Sequence, residues 1–165
     1  MKKIIFMLSV VIICFIIQTS FLGLFNFFNV MPNLSLIALV IFSIMSNGFT
    51  GGILGFATGL LYDAMIYDIF GIFTLIYFLI GSAIGSLSDD MLKENNILYS
   101  VVTGISTAAL HFLLYLILFF LRFGVGFAAG KLMNIILEII FNSVTAIFFL
   151  KLILYLLYKL NINMR

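Results

Sequence analysis

The chain has 165 residues, of which 65% are hydrophobic and 8% charged, with a net charge of +2 and a mean hydropathy of +1.35; soluble domains run at roughly 45–50% apolar and about 25% charged. This composition excludes a soluble enzyme, and the few scattered cations exclude a nucleic-acid footprint, which needs a basic patch or stripe. The sequence is that of a single integral membrane domain over residues 1–165, with room at about 20 residues per crossing for at most about seven spans.

The N-terminus "MKKIIFMLSVVIICFIIQTSFLGLF" has the basic start of a signal peptide. Its apolar run outlasts the usual core of about 7–15 residues and no small-x-small cleavage site follows, so the expectation is a retained first helix, Ile4 to Phe25. Within it Cys14, the one cysteine of the chain, reads as a small core residue, and Gln18 to Ser20 set polar groups near one end. Pro32 stands two residues before a second helix, Leu34 to Met45, where a fixed φ helps turn the chain back. The break "SNGFTGG" separates this from a third helix, Gly51 to Tyr62. Apolar runs then predict helices over Ile72 to Leu87, Ile97 to Leu121 and Leu132 to Tyr158.

Cytoplasmic loops are enriched in Lys and Arg, which tests the count. With six elements and the N-terminus inside, Lys2, Lys3, Lys93, Lys151, Lys159 and Arg165 fall inside and only Arg122 and Lys131 outside. Fusing the second and third helices would invert the second half and leave four on each side. The expectation is therefore an all-α bundle of about six transmembrane helices with both termini cytoplasmic. Helices two and three are short enough that a re-entrant hairpin would serve equally.

Gly51, Gly55, Gly59 and Asp63 recur every fourth residue, a strip that drifts by about 40° per step. Gly81 and Gly85 repeat the spacing in the fourth helix. Small residues let helix backbones approach closely in lipid, so the third and fourth helices are expected to pack tightly or to offer a seam to a neighbour. In the fifth helix Ser100, Thr103, Gly104, Thr107 and His111 share one face, as do Asn134, Glu138, Asn142 and Thr145 in the sixth. Both stripes should turn away from lipid. Depth counting places Asp63, His111 and Glu138 in the same half of the bundle, where they would converge either as structural pairs or as a site for a ligand, proton or partner. Gln18, Asn134 and Asn142 complete this candidate intramembrane cluster, while Asp68 reads as a solvated loop charge.

No phosphate loop, HExxH pair, nucleophile elbow or CxxC pair occurs. Asp89, Asp90 and Glu94 would suit a magnesium ion only if a second acidic cluster faced them, and none does. No catalytic residue, cofactor or metal is expected.

From "PNLSLI" through "GGILGFATGLLYDAMIYDIFGIFTLIYFLIGSAIGSL" the sequence resembles the rod shape-determining protein MreD family. The matching features are the polar Gln18 to Ser20, then Pro32, and a core of Gly55, Gly59, Leu60, Asp63, Phe70, Gly71, Tyr77, Gly81 and Gly85. Beyond that core the likeness is in helix count and hydropathy, and Asp68 falls in a spacer that is usually more apolar. The resemblance implies a non-enzymatic inner-membrane scaffold of the cell-elongation machinery. It would bind the bitopic protein MreC, act through it on the RodA glycosyltransferase and a class B penicillin-binding protein, and adjoin MreB on the cytoplasmic side. The family also resembles the substrate-binding subunits of energy-coupling-factor transporters in fold, which gives the alternative of a vitamin-type transport subunit. Gly51, from the glycine spacing, and Gly55, Gly59, Gly71, Tyr77, Gly81 and Gly85, which the resemblance also covers, are candidate packing and partner-interface positions. Lipid is the remaining partner.

Overall fold

The computed structural model describes residues 2–20, 30–65, 70–88, 96–122 and 129–162. They form six helices: α1 Lys2–Ser20, α2 Leu34–Met45, α3 Gly48–Met65, α4 Ile72–Leu87, α5 Asn96–Phe120 and α6 Ala129–Lys159. Three segments are long and apolar enough to cross a membrane: Lys3–Ser20, Asn96–Phe120 and Leu132–Lys159. Asp68, the Asp89 to Glu94 loop and Arg165 lie outside the described residues.

The bundle is built around α2. Its sequence, LSLIALVIFSIM, is apolar on every side, and a helix of that kind has no face to give to water. Leu36 through Phe42 are wholly buried, and α2 packs against each of the other five helices. At 12 residues it rises only about 18 Å, well short of the roughly 30 Å hydrocarbon layer. It is an internal helix that does not span the layer by itself.

The third helix starts one turn earlier and ends one turn later than the apolar run predicts. The reason at its start is local: the Asn47 side chain accepts a hydrogen bond from the Thr50 amide at 2.9 Å, and the Gly51 amide donates to the Asn47 carbonyl at 2.9 Å. Asn47 thus satisfies amides that a helix start leaves without partners. The break between α2 and α3 shrinks to Ser46 and Asn47.

The most extensive interface is that of α3 with α4. A methyl group placed on Gly51, Gly55 or Gly59 would overlap the backbone of Gly81, Tyr77 or Phe73, and one on Gly85 would lie 2.6 Å from the Asn47 carbonyl. The two backbones therefore touch along the whole glycine strip, as the spacing predicts. The strip is consumed inside the chain, however, so it is not the seam offered to a neighbour. The remaining packing joins α5 to α6 and α4 to α5, with α1 lying on α2 and α3.

Candidate functional site

Polar side chains from all six helices meet at the N-terminus of α2. Asn33 caps that helix, its Oδ1 accepting from the Leu36 amide at 3.0 Å. The same oxygen accepts from the Tyr62 hydroxyl of α3 at 3.0 Å, and Asn33 Nδ2 donates to the Tyr77 hydroxyl of α4 at 2.9 Å. The Asn33 amide donates to Asn142 Oδ1 of α6 at 2.7 Å. Asn142 Nδ2 in turn donates to Thr107 Oγ1 of α5 at 2.9 Å, which donates to the Thr103 carbonyl at 2.9 Å. From α1, Gln18 Oε1 accepts from the Ser35 amide at 3.3 Å.

The network is almost closed. Ser35 Oγ and Ser43 Oγ are buried without a hydrogen-bond partner among the described residues, Ser35 standing beside the Tyr62 hydroxyl. Rings pack over the polar atoms: Tyr62 stacks on Tyr77 with centroids 5.2 Å apart and meets the edge of Phe15 at 5.1 Å. Burying the amide and phenol groups of Asn33, Asn142, Tyr62 and Tyr77 is tolerable because each is hydrogen-bonded.

Asp63 is buried but takes no part in this network. Its Oδ1 accepts from the Phe73 amide at 2.9 Å, and its Oδ2 from the Thr74 amide at 2.8 Å and the Thr74 hydroxyl at 2.6 Å. The N-cap position of α4 is Gly71, in the left-handed region at φ 103° and with no side chain to cap the helix. A carboxylate from α3 does that work instead, and its charge sits at the positive end of the α4 dipole. This corrects the expected convergence of Asp63 with His111 and Glu138. It also accounts for an aspartate in so apolar a setting.

His111 and Glu138 do meet, Nε2 to Oε2 at 2.8 Å across α5 and α6, with a quarter and a fifth of each side chain exposed. Asn134 is exposed one turn away on α6. Of the candidate interface positions, Tyr77 is wholly buried in the network, and a side chain at Gly71 would meet nothing within 4 Å. Gly71 is thus a backbone position and not a packing one. Sequence reading missed Asn33, Tyr62 and Ser35. The pair "PN" directly before an apolar helix was a capping signal for Asn33.

No group of three or more His, Cys, Asp or Glu side chains suited to a metal occurs among the described residues. An apolar groove of about 370 Å³ lies on the α3–α4 face, lined in part by Phe56, Leu60, Phe70 and Phe78.

A model of the rod shape-determining protein MreD family matches residues 1–161. The chain belongs to that family. Neither the curated proteins nor the solved structures contain a match. MreD proteins are shape-determining structural proteins of the Mre rod-shape system, associated with the membrane, and the three long apolar helices fit that setting. The Asn33 network and the Asp63 cap are therefore the internal framework of an MreD-family bundle.

Proposed function

We propose that this chain is a non-enzymatic, multi-pass scaffold of the bacterial cytoplasmic membrane, with both termini cytoplasmic and a bundle like that of energy-coupling-factor substrate-binding subunits. It binds the bitopic protein MreC and through it supports RodA and its class B penicillin-binding partner, with MreB filaments on the cytoplasmic side. Beyond family membership, the observation that carries this reading is the self-sufficiency of the polar interior. Asn33, Tyr62, Tyr77, Thr107 and Asn142 spend their hydrogen bonds on one another. The bundle is thereby a stiff body presenting an apolar exterior to other membrane helices. A transport subunit would have to turn those same groups toward a solute.

Co-expression of the tagged chain with MreC, followed by extraction in mild detergent, should recover the two together, and depletion in the parent cell should round the rods. Absence of MreC from the eluate together with submicromolar vitamin binding lost in Glu138→Ala would replace the scaffold by the transport reading.

A further inference from the structure

The outward face of α6 changes character at Lys151. One side of the helix carries Asn142, Ala146, Leu150, Ile153 and Leu157, all buried. The opposite side begins as hydrocarbon, with Val144 and Phe148 exposed, and continues as Lys151, Tyr155, Tyr158 and Lys159, every one exposed. At a turn of 100° per residue these last four fall within about 100° of one another.

Their depth follows from length and register. The apolar segment Leu132–Lys159 has 28 residues, about 42 Å of helix against a hydrocarbon layer of roughly 30 Å. The excess lies at its C-terminal end. The contacts of Thr107 with Asn142 and of His111 with Glu138 set α6 antiparallel to α5, with Lys151 beside the first turn of α5, so the turns after Ile153 overshoot the start of that helix at Asn96. Those turns are held to their end. Asn161 takes a left-handed φ of 51°, its amide donates to the Tyr158 carbonyl at 3.2 Å, and the Ile162 amide donates to the Leu157 carbonyl at 3.0 Å while the Ile162 side chain packs back on the core. Among the described residues neither Lys151 nor Lys159 has an ion pair or hydrogen bond, and no acidic residue follows Glu138 in the sequence.

Resting on the topology proposed above, which puts this end of α6 on the cytoplasmic side, we infer that Lys151, Tyr155, Tyr158 and Lys159 form a binding patch for acidic phospholipid of the inner leaflet. The two ammonium groups take the lipid phosphates, Lys151 by running its stem along the helix toward the headgroups. The phenol rings lie at the same level, with their apolar bodies toward the acyl chains and their hydroxyls toward water. Position and charge dictate the occupant: phosphate is the anion that surrounds a membrane helix at this depth, and two cations without a carboxylate on their own face favour an acidic headgroup over a zwitterionic one.

The full-length chain in liposomes tests this. It has no tryptophan, so Tyr155→Trp puts a single probe in the patch. At equal mole fraction, brominated phosphatidylglycerol should quench that probe as a lipid bound at least about fivefold more tightly than brominated phosphatidylcholine, the contribution of one lysine near an acidic surface, and raised salt should shrink the preference. Adding Lys151→Gln and Lys159→Gln should bring the ratio close to one with an unchanged unfolding midpoint, since both side chains are exposed. Arg122→Gln, at the opposite end of the hairpin, should leave the ratio as it was. A ratio near one before the lysines are changed, or a preference that survives their replacement, overturns the patch. Sidedness is read separately. With Cys14 buried, Tyr158→Cys should react with a membrane-impermeant maleimide in inverted vesicles and not in spheroplasts; reaction in spheroplasts overturns the topology and the inner-leaflet assignment, whatever the lipid ratio.

Discussion

Replacing Asn33 by alanine removes three hydrogen bonds at once, those to the Leu36 amide and to the Tyr62 and Tyr77 hydroxyls. Each buried group so orphaned costs about 1–3 kcal/mol in soluble proteins, and measured intramembrane pairs average about 0.6, so Asn33→Ala should lower stability by about 2–4 kcal/mol. Unfolding monitored in a fixed detergent micelle checks this, and a loss below about 0.5 kcal/mol would show that the network is decorative. Asp63→Asn keeps the shape but turns an amide NH2 toward amide donors at Phe73 or Thr74. It should cost about 1–2 kcal/mol, in the range of a lost cap, and more than Asp68→Asn. At this scale sequence reading was uneven. His111 with Glu138 was legible because helical depth can be counted along an apolar run. Asp63 was misplaced because its partners are backbone amides, which leave no trace in residue identity.

The helices themselves were legible, since apolar runs in a membrane protein are bounded by polar breaks and each break could be named. The extra turn at the start of α3 was not, because it depends on one Asn47 side chain folding back on the helix. The glycine spacing correctly announced contact, but spacing alone does not say whose helix fills the groove. The structure answers that α4 does, and this has a measurable consequence. Gly55→Ala would press a methyl into the Tyr77 carbonyl and force α3 from α4, whereas at Gly52 the nearest atom is the movable ring edge of Phe78, 3.1 Å away. Gly55→Ala should therefore destabilise by about 1–3 kcal/mol, as overpacking does. Gly52→Ala should be close to neutral, because about 0.5–1 kcal/mol of helix preference offsets the ring displacement. Equal melting shifts for the two would refute the close approach of these backbones.

Over the whole molecule, the surface of α2 is the shared wall of every other helix, so any loosening of the bundle opens the same interior. Cys14 on α1 is 3% exposed and belongs to that interior with Phe15 and Val11. As the one cysteine of the chain, it is a built-in reporter. A membrane-permeant maleimide should leave it unlabelled in the native protein, label it fully in hot SDS, and label it faster in Asn33→Ala than in Gly52→Ala. Rapid native labelling would mean that α1 does not rest against α2. The central position of α2 was not legible, because a short all-apolar run reads alike as a thin lipid-facing span or a hidden core; only the arrangement of the other five helices distinguishes them.

Enclosure of α2 also sets an order of events during synthesis. The Asn33 amide finds its acceptor on Asn142, 109 residues later in the chain. Until the ribosome has delivered the final hairpin, the Asn33 amide at the start of α2 lacks the acceptor it has in the finished fold. A chain cut short after α4 therefore lacks that acceptor and the two helices that close over α2, and it should be degraded faster in the membrane than the full chain.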